Sequence, residues 1–138
     1  YVAAGVVEIK GDSYFTSQTI GKPSGSDMER GTVQILSAGK AIITSGTIIG
    51  EKQQAVSNEG TLIIGSDDDT ISTTDPVLIG EIHGVRSTGT FTFYDGIIKG
   101  KADAIDGSVI YSDDLEIVNS TEQIGGKTYK TAYLESKQ

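Results

Sequence analysis

The pentad Gly60-Thr61-Leu62-Ile63-Ile64 returns as Gly89-Thr90-Phe91-Thr92-Phe93, and Gly31-Thr32-Val33-Gln34-Ile35 precedes it by the same step. Repetition at a fixed step restricts the fold more than composition does, because each copy must solve the same burial problem. The match extends beyond the pentads: "AVSNE" (55–59) and "GVRST" (84–88) keep the step. Gly5-Val6-Val7-Glu8-Ile9 stands a slightly shorter step before the first pentad, and Gly107-Ser108-Val109-Ile110-Tyr111 follows the third more closely still.

Inside each copy the apolar positions alternate. Val7/Ile9, Val33/Ile35, Leu62/Ile64, Phe91/Phe93 and Val109/Tyr111 would each point one way from a strand. A second apolar segment follows as "GTIIG" (46–50), "PVLIG" (76–80) and "GIIKG" (96–100), giving about three short strands per turn. A unit of this length cannot bury its own apolar face and must stack on its neighbours. The pattern therefore predicts an all-β chain, a right-handed parallel β-helix, with a β-sandwich as the alternative because its turns also come at short, regular intervals. Stacking at about 4.8 Å would place Thr32, Thr61 and Thr90 in one ladder. The glycine heading each strand would allow the corner, many such corners needing positive φ. The expected division is an N-terminal turn and cap over 1–30, repeats over 31–118 and a capping segment over 119–138, all one domain.

Composition agrees with many short strands: 18 glycines against 2 prolines, with Thr, Ile and Val abundant. A net charge of −8 disfavours nucleic acid, whose phosphates call for clustered Lys and Arg. No apolar run approaches the roughly 18 residues of a membrane span, so no membrane insertion is expected. The absence of cysteine excludes disulfides, thiolate metal sites and Cys nucleophiles. Tyr1 at the start, with Met28 the sole methionine, reads as a piece of a longer chain.

The run "GVRSTGTFTFYDGIIKGKADAIDGSV" (84–109) and the later "GGKTYKTAYLE" (125–135) also carry a resemblance. They resemble the repeat regions of large multi-repeat surface proteins of Gram-positive anaerobic bacteria, which are similar to right-handed parallel β-helix proteins of the pectate-lyase-like class. The resemblance spans Gly31 to Glu135. It implies an extracellular, cell-surface scaffold, stalk or adhesive module whose partners are neighbouring domains of a larger protein, with glycan or host protein as candidate ligands.

Candidate site chemistry is sparse. Asp67, Asp68 and Asp69 could offer oxygen ligands to a hard cation, but three consecutive acids lack the alternation of a calcium loop. Asp95, Asp113 and Asp114 sit where turn aspartates cap their own backbone. His83, the sole histidine, has no nucleophile motif around it. Arg86, expected to face solvent or a neighbouring glutamate, is one candidate surface contact. Tyr94 is the other: it follows the inward Phe93 and so should point outward. No catalytic residue, metal or cofactor is assigned, and a carbohydrate-binding or carbohydrate-active module is the second reading. Lys127, Lys130 and Lys137 near the C-terminal end would deter edge pairing, which favours a monomer over end-to-end association.

Overall fold

The computed structural model describes residues 2–17, 31–67 and 71–137. They form thirteen strands and no helix. β1 (Val2–Ile9) and β2 (Tyr14–Ser17) precede the long β3 (Gly31–Ile43), which is followed by β4 (Thr47–Gly50), β5 (Gln54–Asn58) and β6 (Thr61–Ile64). β7 (Val77–Gly80), β8 (His83–Ser87), β9 (Thr90–Phe93), β10 (Ile97–Gly100) and β11 (Asp103–Asp106) come next. β12 (Leu115–Ile124) and β13 (Lys127–Ser136) end the chain as a hairpin.

Strands separated by one turn of chain pair in parallel, and they do so in three ladders. The first half of β3 pairs β5, β5 pairs β8 and β8 pairs β11. The second half of β3 pairs β1 and β6, and β6 pairs β9. β2, β4, β7 and β10 make the third ladder. Because β3 serves two ladders, the first two form one seven-stranded sheet, and the third joins β12 and β13 in a six-stranded sheet. β13 lies antiparallel on β10, so the third ladder ends in a reversal of strand direction.

Parallel register stacks like on like. Ala41, Leu62 and Phe91 stand in one column and Ile43, Ile64 and Phe93 beside it, all at most 1 % exposed. Ile48, Leu78 and Ile98 form the facing column of the third ladder, also fully buried. Alternation within each short strand sends these residues inward, and their contacts make one continuous core. The ring centroids of Phe91 and Phe93 lie 5.9 Å apart, adding aromatic stacking to the burial.

The common step of the pentads holds between β6 and β9, where Leu62 pairs Phe91, and between β5 and β8, where Val56 pairs Val85. It fails for the earliest copy. Gly31–Ile35 stacks on Gln54–Asn58, and Lys40–Ile43 takes the place over Thr61–Ile64. The Thr ladder therefore contains Thr61 and Thr90 but not Thr32, whose hydroxyl donates to the Ile49 carbonyl at 2.7 Å. Gly5 likewise stacks on Gly39 and not on Gly31. One long strand running through two ladders gives the first turn its own length, and pentad matching could not detect that. The shorter step to the last copy is real: Ile110 bridges Thr92.

The glycines heading β6 and β9 have a different cause from the one expected. Neither Gly60 nor Gly89 has positive φ. A Cβ on Gly60 would lie 2.3 Å from the Leu36 carbonyl oxygen, and one on Gly89 would lie 2.2 Å from that of Gly60. Glycine is required there by the close approach of successive turns, not by backbone conformation.

Candidate functional site

Side-chain chemistry gathers where the third ladder turns into the first, one corner repeated on successive turns. β10 follows β7 by a shorter step than β9 follows β6, so Glu81, just past β7, comes level with Lys101, just past β10. Lys101 Nζ lies 3.0 Å from Glu81 Oε1, and Lys127 on the terminal hairpin reaches both Glu81 oxygens at 3.3 Å. The Tyr129 hydroxyl donates to Glu81 Oε2 at 3.5 Å. Burial pushes the Glu81 carboxyl up, but the two ammonium groups outweigh it and hold the carboxyl below its ordinary value of 4.5. Burial, then the Glu81 charge, raise the Tyr129 phenol.

A second cluster lies along the first ladder, where register sets His83 beside Asp103 and Arg86 beside Asp106. His83 Nε2 is 3.5 Å from Asp106 Oδ2, and Arg86 Nε is 3.7 Å from the same oxygen. His83 Nδ1 is 4.0 Å from Asp103 Oδ2, whose carboxylate also faces Lys130 Nζ at 3.7 Å. Both clusters join one turn to the next through opposite charges. Neither presents a nucleophile and base pair, and among the described residues no three acids or histidines are grouped to hold a metal.

Arg86, half-buried, thus faces Asp106 where solvent or a neighbouring glutamate was expected. Tyr94 is half-buried, and its backbone N–H donates to the Ile64 carbonyl at 2.7 Å. The two do not converge on one site. Asp67 is exposed, while Asp68 and Asp69 lie outside the described residues. Asp95 is buried and accepts the Ser66 N–H at 3.2 Å across one turn. Asp75 does the same for the Gly46 N–H at 2.8 Å. These are turn carboxylates that satisfy backbone donors on the neighbouring turn. Asp113 and Asp114 are exposed in the turn before β12.

An open groove of about 840 Å³ lies at the C-terminal end. Its floor is the last turn, with Ile105 and Val109, and its wall is the hairpin, with Ile117, Asn119, Thr121 and Ala132. Asp103, Lys130 and Tyr111 edge it. Register explains the wall: Ile117, Asn119 and Thr121 stand opposite Leu134, Ala132 and Lys130, and Ala132 continues the inward Ile98 column. Sequence reading missed both the groove and Glu81. The shortened step from Val77 to Ile97, which sets Glu81 over Lys101, is visible in the sequence, but the antiparallel return of β13 leaves no periodic trace. No protein-family model, curated protein or solved structure matches the chain.

Proposed function

We propose that the chain winds as a right-handed parallel β-helix and serves as a non-catalytic module, a rigid element that spaces, displays or adheres at a cell surface. The observation that carries this reading is the columnar interior: parallel strands a full turn apart place Ala41, Leu62 and Phe91, or Ile48, Leu78 and Ile98, directly over one another. A β-sandwich of two sheets would pair mainly antiparallel neighbours, whereas here antiparallel pairing is confined, among the described residues, to β13 and its partners. A solenoid of this kind is stiff along its axis because each turn rests on the next. The charged groups support the same reading, since the Glu81 and Asp106 clusters tie one turn to another. The extracellular location and the likeness to Gram-positive surface repeats belong to this proposal.

The groove favours one second reading, a carbohydrate-binding module, because Tyr111 could stack on a sugar ring while Asn119 and Thr121 offer hydrogen bonds. A glycan array with the isolated chain separates the two. A spacer gives signals at background throughout. Binding to a defined glycan class, abolished by Tyr111→Ala, would replace the spacer reading with the second.

A further inference from the structure

Six large apolar side chains stand exposed among the described residues: Val6, Val7, Tyr14, Phe15, Ile110 and Tyr111. All six lie on the end strands of the ladders, Val7, Phe15 and Tyr111 at inward positions and Val6, Tyr14 and Ile110 at outward ones. Four are on β1 and β2, the outermost strands at one end. Two are on the segment that closes the second ladder at the other end, where Ile110 N–H donates to the Phe91 carbonyl and the Phe93 N–H to the Ile110 carbonyl, both at 2.8 Å. Charge normally guards such edges, yet β1 carries only Glu8, whose carboxylate lies 3.7 Å from Lys10. Two of the three lysines expected to guard the far end are engaged elsewhere: Lys127 lies 3.3 Å from Glu81 and Lys130 lies 3.7 Å from Asp103, which leaves Lys137.

We propose that the two ends are complementary and that a second copy of this chain docks head to tail, its β1 laid parallel on the outer edge of Val109–Tyr111. Strand polarity selects this partner. Every pairing in the second ladder is parallel, and only the head of one copy against the tail of another continues it in that sense. Column chemistry selects the register. Val7 ends the column of Ala41, Leu62 and Phe91 at one side, and the Thr92–Ile110 bridge puts Val109 at its other end. Val7 of the added copy therefore covers Val109, and Ile9 covers Tyr111, with Val6 coming beside Ser108. The hairpin already closes the third ladder at the tail, so the joint forms on the second ladder and over the groove floor. Such a heterologous contact does not close on itself and grows rods.

The inference rests on the parallel winding proposed above, and the test keeps the two apart. Sedimentation of the parent chain over a hundredfold range of concentration should show mass rising past the dimer. Val7→Lys blocks the head and Tyr111→Lys the tail. Each variant alone should stay monomeric and melt like the parent, and the two mixed should give a dimer and nothing longer. A constant monomer mass for the parent, or a dimer in either variant alone, overturns the proposal; an unchanged parallel fold would leave the module reading standing. Because the chain lacks cysteine, a second measurement needs no lysine variant. Mixed Val6→Cys and Ser108→Cys chains should form the heterodisulfide in preference to either homodisulfide, and predominance of a homodisulfide contradicts head-to-tail docking.

Discussion

Asn58 ends β5 with no exposure to solvent, and its side chain makes three hydrogen bonds. Its Nδ2 donates to Ser87 Oγ at 3.0 Å and to the Thr90 carbonyl at 2.9 Å, and its Oδ1 accepts the Gly60 N–H at 3.0 Å. The side chain thereby fastens the corner between the first and second ladders of one turn to the same corner of the next. Asn58→Ala leaves a carbonyl, a hydroxyl and an N–H without that partner in a buried corner. Each unpaired group costs about 1–3 kcal/mol, and the Ser87 oxygen loses a donor while keeping its own O–H to donate, so the loss should be about 3–5 kcal/mol. That is a large part of the roughly 5–15 kcal/mol that holds a domain folded. Asn58→Asp is the sharper probe. It has the same shape, but an ionised carboxylate donates nothing and would face the Thr90 carbonyl oxygen, so its folded pKa lies above the unfolded value of about 3.9. The variant should be closest to the parent below that value and lose stability as pH rises through the folded pKa, opposite in sense to ordinary acid denaturation. Urea titrations followed by circular dichroism at acidic and neutral pH read both effects. An Asn58→Ala loss below about 1 kcal/mol, or an Asn58→Asp variant equal to the parent at neutral pH, refutes the argument.

Phe93→Ala should cost about 3–5 kcal/mol through the cavity it leaves, whereas Tyr14→Ala, 64 % exposed, should leave the urea midpoint nearly unchanged in a single chain kept dilute. The depressed Glu81 carboxyl contributes stability that is present above its unfolded value near 4.5 and lost as pH falls through the lower folded value. Glu81→Gln should therefore flatten the acid limb of a stability profile, and a limb identical to the parent's would contradict the role of Lys101 and Lys127. Chelator should leave the melting temperature unchanged, because the turns are joined by strand ladders and apolar columns; a marked drop would make Asp67 to Asp69 a cation site.

The parallel stacking was legible wherever two turns shared a length. Leu62 over Phe91 and Val56 over Val85 follow from residue identity at one fixed step, since stacked positions share one environment. It was illegible where turn length changed: β3 runs through two ladders without a break, so Gly31 heads a strand that stacks on Gln54 and not on Gly60. Glycine at the strand heads was read as a positive-φ corner, which holds at Gly5, Gly46, Gly96 and Gly107 and fails at Gly60 and Gly89, where a clash with the turn below leaves the same sequence mark. Asp95 was legible as a turn aspartate, but its bond to the Ser66 N–H reaches the adjacent turn, and Asp75, not singled out in the sequence, holds the Gly46 N–H in the same way. The groove was not, because it depends on where β13 reverses direction, and Thr128 to Leu134 read equally well as a strand running either way.

The winding itself is tested most directly by nuclear Overhauser contacts in the uniformly labelled chain. The proposed winding through three ladders predicts simultaneous parallel-type backbone contacts between Val56 and Val85, between Leu62 and Phe91 and between Ile48 and Leu78. Antiparallel Hα–Hα contacts should be confined to β13 with β10 and β12. A spectrum in which any of those three pairs is absent, or in which antiparallel contacts join the strands from β4 to β9, would contradict the β-helix and return the chain to the sandwich.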